Sequence, residues 1–132
     1  MQVLVDTCVW SQALRRANEN KYACELRDVI SDNRACLIGP IRQEILSGIR
    51  EKKQFQILRD HLSSFPDLLI KTVDYETAAE FSNTVRGKGI QGSAIDFLIC
   101  AVASRYSLLI FTVDNDFRHF SKYLPIKLYV SA

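Results

Sequence analysis

Gln2-Val3-Leu4-Val5-Asp6 is a short apolar run that starts almost at the N-terminus and stops on a carboxylate. A continuous run of this kind suits a strand buried on both faces of a parallel sheet, and ligands of such sheets gather beyond the carboxyl ends of the strands. Asp6 therefore sits at that edge. A second run, Leu108-Leu109-Ile110-Phe111-Thr112-Val113, also ends in acid at Asp114, with Asp116 two residues on. Two strands thus deliver carboxylates toward one rim.

Working outward from these runs, Val9, Trp10, Ala13 and Leu14 recur at helical spacing between Cys8 and Arg16, and a second helical pattern runs from about Glu19 to Ile30, closed by Asn33. Ala35 to Ile38 reads as a strand. Gly39-Pro40 then opens a helix whose stripe is Ile41, Ile45, Leu46 and Ile49, because proline near the first helical position forfeits no hydrogen bond. Glu44 lies at the edge of that stripe, one turn in, and so joins the rim. A polar helix from Glu51 to about Ser64 stops before Pro66, Leu68 to Ile70 reads as a further strand, and Asp74 caps a helix ending near Arg86. The loop Gly87-Lys88-Gly89-Ile90-Gln91-Gly92 satisfies G-x-G-x-x-G, yet it follows a helix where a dinucleotide fingerprint must follow a strand, so it reads as a connector and no nucleotide cofactor is expected. Ser93 to Arg105 is apolar nearly all round, hence a central buried helix in which Asp96 is the one charge before Arg105. A short helix from Asp116 to Tyr123 leads to a last strand, Ile126 to Val130. Strands alternating with helices imply an α/β fold around a mainly parallel sheet of four to five strands. With 132 residues, the chain is expected to form one domain over its whole length, 1–132.

Composition narrows the partners. Lys and Arg number 17 against 15 Asp and Glu, and a net charge of +2 is too small to argue for nucleic acid by bulk attraction. Any such partner must be argued from a site. Cys8, Cys24, Cys36 and Cys100 are widely spaced, form no zinc or redox motif, and read as small buried hydrophobes in a reducing cytosol. No apolar run approaches the ~18 residues of a membrane span, and the start lacks a signal peptide's basic region, so a soluble cytoplasmic protein is expected.

Each acid has an ordinary reading. Ser93-x-x-Asp96 fits a capping box, Asp6, Asp114 and Asp116 fit helix starts after their strands, and Glu44 fits a solvated helical acid. As a set they carry a second reading. In a parallel sheet all of them lie at strand ends or in the first turn of the next helix, and carboxylates that converge repel one another unless a proton or a cation intervenes. Oxygen ligands with no Cys or His set beside them select Mg²⁺ or Mn²⁺, ions that keep waters and bind phosphates. Spacing alone leaves capping and metal binding both open.

Val-Leu-Val-Asp6-Thr7-Cys8-Val-Trp, Gln43-Glu44-Ile45-Leu46-x-Gly48, Asp96-Phe-Leu-Ile-x-Ala101 and Thr112-x-Asp114-x-Asp116-Phe117 together resemble PIN-domain ribonucleases, with the nearest likeness to VapC-type toxins of bacterial toxin–antitoxin pairs. The resemblance covers essentially the whole chain. It implies a three-layer α/β/α fold, and Asp6, Glu44, Asp96 and Asp114 as catalytic acids holding Mg²⁺ or Mn²⁺, with Asp116 as a fifth contributor. It places Thr7 and Thr112 where small hydroxyls orient a carboxylate or a metal-bound water. Cys8 departs from the Ser or Asn more usual there. Also implied are RNA cleavage by an activated water, leaving a 5′-phosphate and a 3′-hydroxyl, with tRNA or rRNA loops as typical targets. A cognate antitoxin seated near the first helices and a homodimer follow from the same likeness. Trp10 fits either that groove, a dimer interface or the core.

Substrate grip requires cations around the acids, because a carboxylate cluster repels RNA until metal binds. Arg86 and Lys88, in the loop just before the Asp96 helix, are the first expectations, followed by Arg42, Arg50 and Arg118. Three rivals remain. A metal-independent nuclease would use His61 and His119 as acid and base. A phosphohydrolase with Asp6 as nucleophile would need a second Asp two residues on, where Cys8 stands. A catalytically inactive PIN-like module would bind RNA or antitoxin without cutting.

Overall fold

Val3, Leu4 and Val5 are all fully buried. Successive strand residues point to opposite faces, so both sides of this strand are covered. In the computed structural model, which describes residues 1–15 and 21–130, β1 (Val3–Val5) lies at the centre of a sheet with β2 (Ala35–Cys36), β3 (Leu109–Phe111) and β4 (Lys127–Leu128), in the order β2-β1-β3-β4. Every pairing is parallel, with Val3 opposite Ala35 and Leu109, and Ile110 opposite Leu128.

Parallel strands need crossovers, and helices supply them. Between β1 and β2 run α1 (Thr7–Arg15) and α2 (Lys21–Ser31). Between β2 and β3 come α3 (Gly39–Ser47), α4 (Lys52–Leu62), α5 (Thr72–Arg86) and α6 (Ala94–Tyr106), and α7 (Asp116–Phe120) precedes β4. Helix α1 packs on α2 and α3, α5 packs on α6, and α6 lies against β3. Phe97 through Ala103 are all buried, the all-round burial expected of an apolar central helix. Pro40 stands at the start of α3. The expected α1 end at Arg16 and α2 start at Glu19 fall outside the described residues.

Several expectations need correction. No strand forms over Leu68–Ile70; only a bridge between Leu37 and Asp67 and the bond from Leu68 N–H to Leu37 O extend the sheet there. The carbonyl of Leu69 instead accepts from Arg105 Nη2 and the Tyr106 hydroxyl, so side chains claim the acceptor a ladder would use, while Leu68 and Ile70 still pack on the core and Leu69 is 65% exposed. The sheet therefore has four strands. Helix α5 starts at Thr72, with Asp74 inside its first turn, accepting the Lys71 N–H at 2.8 Å. The last strand and α7 are both shorter than their apolar patterns. Cys36 and Cys100 are buried as expected, whereas Cys24 is exposed and Cys8 half-buried.

The glycines of the G-x-G-x-x-G connector have structural reasons. Gly89 has φ +77°, which other residues rarely adopt. A Cβ on Gly92 would lie 2.7 Å from the Phe120 ring and 3.0 Å from that of Phe97, so this glycine lets the connector press against two core aromatics.

Candidate active site

Asp6 follows β1 directly and begins α1. Its Oδ1 accepts the N–H of the adjacent Thr7 at 2.8 Å, while Oδ2 accepts the Thr112 hydroxyl at 2.9 Å and the Cys8 thiol at 3.3 Å. The same Thr112 oxygen accepts the Asp114 N–H at 3.0 Å, and Asp114 Oδ1 accepts the Asp116 N–H at 2.9 Å. The ends of the two adjacent parallel strands β1 and β3 are thus stitched together through one hydroxyl. Asp6 is 8% exposed, so this carboxylate is held by its partners and has little room to move.

Asp96 arrives from α6. Ser93 and Asp96 form the reciprocal cap foreseen from sequence, Asp96 N–H to Ser93 Oγ and Ser93 N–H to Asp96 Oδ2, each at 3.1 Å. Burial, then repulsion from Asp6 and Asp114, outweigh those bonds and raise the Asp96 carboxyl above its usual range. Asp6, Asp96 and Asp114 therefore face one another across the carboxyl end of the sheet. Beneath them Cys100, one turn further along α6, is fully buried; its thiol is pushed far up by burial first and then by Asp96 and Asp6, so the floor is neutral.

Glu44 comes from the exposed side of α3 and is tied in by the Thr7 hydroxyl, which donates to its Oε1 at 2.8 Å. A cleft of about 420 Å³ opens beside it, lined by Thr7, Ser11, Gln43 and Ile95. Asp116 joins the set through its backbone N–H, with its side chain on the exposed turn of α7. Among the described residues, no three His, Cys, Asp or Glu side chains are grouped tightly enough to hold a metal ion as they stand.

The expected cations are spread more widely. Arg86 is exposed and lies back along α5, 3.4 Å from both Asn83 Oδ1 and Ser82 Oγ, beside a 250 Å³ cleft that reaches Gly92 and Phe97. Lys88 stands 5.6 Å from the Tyr123 ring centroid. Arg42 is engaged elsewhere: its guanidinium bonds the Leu62 and Phe65 carbonyls and pairs with Asp67 at 3.0 Å, clasping the end of α4. His61 lines a groove beside α4, His119 is on α7, and no hydrogen bond joins them among the described residues.

Two groups escaped the sequence reading. The Cys8 thiol touches both Asp6 Oδ2 and Thr112 Oγ1 (3.4 Å), a role signalled only by its place two residues after a strand-end acid. Asp74, foreseen as a cap alone, is 1% exposed and bonds Arg105 through two nitrogens at 2.7 and 2.8 Å.

A groove of about 870 Å³ runs between α1, α2 and α4. Trp10 is buried at its wall, 4% exposed with its ring edge against Phe65, while Leu14, Ile30 and Ile57 line it exposed. Trp10 is thus a core residue that also faces the groove.

The fold of this chain is shared with known proteins. The PIN domain family matches residues 3–123, and this chain belongs to that family. Among solved structures, FitAcB from Neisseria gonorrhoeae superimposes with a TM-score of 0.78 at 21% identity, over 98% of this chain and 97% of that one. VapBC2 from Rickettsia felis, bound to a DNA fragment from its promoter, gives 0.77 at 17% identity over 98% of each chain. DNA-bound VapBC from Salmonella typhimurium gives 0.73 at 16% identity, over 98% and 97% of the two chains. These likenesses are likenesses of fold. A comparison with curated proteins returned no match. No helix among the described residues is long and apolar enough to cross a membrane.

Proposed function

We propose that the protein is a Mg²⁺- or Mn²⁺-dependent endoribonuclease, and the toxin of a toxin–antitoxin pair. The observation that carries the nuclease reading is the meeting of Asp6, Asp96 and Asp114, from three elements, at one sheet edge, where burial first and then the charges of Asp6 and Asp114 disfavour the Asp96 anion. Caps alone need no such convergence. The donor set is all hard oxygen, and magnesium asks for only one or two carboxylates beside its waters and a phosphate, so these residues fit the ion without a closed cage. Asp6, Asp96 and Asp114 would hold it, with Glu44 and Asp116 at the margin.

When bound, such an ion lowers the pKa of a water and offsets charge on the leaving oxygen. The protein's part is positional. Thr112 and Cys8 fix Asp6 Oδ2, Ser93 fixes Asp96, and Thr7 holds Glu44 toward the 420 Å³ cleft. Water oxygen attacks phosphorus, the bond to the 3′-oxygen breaks, and that oxygen takes a proton, leaving a 5′-phosphate and a 3′-hydroxyl. No side chain need become covalently attached. Arg86 and Lys88 are proposed to hold flanking phosphates, in an RNA whose single-stranded loop, as in tRNA or rRNA, can enter.

The toxin reading is supported by a further structural neighbour described as a toxin–antitoxin complex from Klebsiella pneumoniae, and by the groove beside α1, α2 and α4. Its exposed Leu14, Ile30 and Ile57 suit the apolar face of an antitoxin helix. A homodimer in the cytoplasm completes the proposal.

The test is cleavage of cellular RNA by purified protein with Mg²⁺ or Mn²⁺, followed by mapping of the new 5′ ends. Asp6→Asn and Asp96→Asn should each abolish cleavage while keeping a wild-type circular-dichroism spectrum. Wild-type activity in either variant refutes the assignment. Cleavage that survives EDTA and leaves a cyclic phosphate transfers the chemistry to His61 and His119.

A further inference from the structure

A second cleft, of about 260 Å³, opens directly off the acidic edge on the side away from Glu44. It is lined by Thr112 and Asp114 after β3, by Lys21, Tyr22 and Glu25 at the start of α2, and by Arg118 of α7 and Tyr129 after β4. Its size lies just below the roughly 300–1,000 Å³ of clefts that take drug-sized ligands, which suits one nucleotide unit.

The chemistry of the walls is specific. Lys21 and Arg118 are exposed, and neither has an ion-pair partner among the described residues, so two cations flank an opening that begins at a carboxylate. Outside the acidic edge they outnumber the single acid, Glu25. The aromatic surface is fixed: Tyr129 lies 4.7 Å from Phe111, its ring tilted by 38°, and Tyr22 is half-buried against the core. Paired cations and ordered rings side by side are what single-stranded nucleic acid uses, cations for phosphates and ring faces for bases. A lone anion would need the cations only, and an apolar peptide would need neither.

We propose that this cleft is the subsite for the nucleotide next to the scissile bond of a single-stranded RNA, with Lys21 and Arg118 on its phosphates and Tyr22 and Tyr129 against its base. This deepens, and rests on, the nuclease reading above. The scissile phosphate lies among Asp6, Asp96 and Asp114, and the adjoining nucleotide passes Thr112 into the cleft. Stacking tolerates any base, so the subsite grips the strand and contributes little to sequence choice by itself.

Binding is measured with a fluorescent single-stranded oligoribonucleotide pool of random sequence, using full-length Asp96→Asn protein so that nothing is cut. Lys21→Ala with Arg118→Ala should weaken binding about tenfold and flatten the slope of log affinity against log salt by about 0.7 for each cation removed. Tyr22→Leu keeps apolar bulk and should cost roughly 5-fold or more through lost stacking, with the salt slope unchanged. All three substitutions lie on accessible or half-buried positions, and thermal melts confirm the folded state. Unchanged affinity and salt slope in both variants, while wild-type protein still cleaves RNA with Mg²⁺, overturns the subsite and leaves the nuclease standing. The same cleft substitutions made with Asp96 intact that cleave and bind RNA normally but resist a partner protein's inhibition also overturn it, assigning the cleft to protein recognition. Wild-type protein that neither binds nor cleaves RNA overturns both.

Discussion

Replacing Thr112 by Val removes one oxygen and keeps the branched shape of the side chain. That oxygen donates to Asp6 Oδ2 at 2.9 Å and accepts the Asp114 N–H at 3.0 Å, so two of the acids lose a shared anchor at once. Hydrogen bonds to charged groups are worth about 1.5–3 kcal/mol net, and the half-buried position of Thr112 puts this one in the lower part, about 1.5–2 kcal/mol. The Cys8 thiol, 3.3 Å from the same carboxylate oxygen, is a weak donor and makes up little of the difference. If the anchor orients Asp6 for a metal, the loss appears as a shift of about 10–30-fold in the Mn²⁺ or Mg²⁺ concentration that supports half-maximal RNA cleavage. Thr112→Ser, which restores the oxygen, should return within a few-fold of wild type. The assay is a metal titration of cleavage rate alongside a thermal melt of each variant. A Thr112→Val protein that melts lower yet cleaves with an unchanged metal midpoint would show that the hydroxyl serves only to cap the loop after β3, and the reasoning would fail.

Gly92→Ala should destabilise the fold, because its new methyl would meet Phe120 at 2.7 Å and Phe97 at 3.0 Å, two rings that are 0% and 3% exposed. Overpacking of this kind costs about 1–3 kcal/mol, or roughly 4–11 °C in Tm for a chain of this size; an unchanged melt would mean that the connector is not pressed on the core. The Arg105 guanidinium, helped by the Lys71 N–H, holds the Asp74 carboxyl below its ordinary range against the opposing effect of burial. A lowered folded-state pKa means stability that is complete above about pH 4 and drains away as pH falls through the lowered value. Melting temperature should therefore fall from pH 5 to pH 2 more steeply in wild type than in Asp74→Asn; parallel curves would remove Asp74 from the acid transition.

How far the sequence could be read depended on whether a signal was local. The Ser93 and Asp96 cap joins residues only three positions apart, and the acids at the ends of β1 and β3 follow from apolar runs that a parallel sheet must bury on both faces. Parallel topology then brings those ends together, which is why Asp6 and Asp114 could be expected at one edge before any coordinates. The segment at Leu68–Ile70 defeated the same logic, since a short apolar run does not say which donors will claim its carbonyls. Here Arg105 and Tyr106, more than thirty positions away, took the Leu69 oxygen and left no ladder to build. The Asp74 and Arg105 pair and the cleft that joins Lys21 to Arg118 are equally products of packing between distant segments, with no periodicity to announce them.

Those unannounced contacts also divide the molecule into two electrostatic regimes. Asp74 spends its charge on Arg105 and becomes a fixed part of the scaffold, anchoring α5 to the end of α6. At the other end of α6, Asp96 faces Asp6 and Asp114 with hydrogen bonds from Ser93 but no cationic side chain bonded to it among the described residues. Arg86 and Lys88 are turned to other partners, Arg86 to Asn83 and Ser82, and Lys88 to Tyr123, while Lys21 and Arg118 line the cleft beside Asp114. Among the described residues no Lys, Arg or His forms an ion pair with Asp6, Asp96 or Asp114, whereas the same helix neutralises Asp74 at its far end. In the proposed metal site a bound cation would offset both the burial and the mutual repulsion of these acids, and the hydroxyls and thiol that fix their orientation would keep them from relieving it by moving apart.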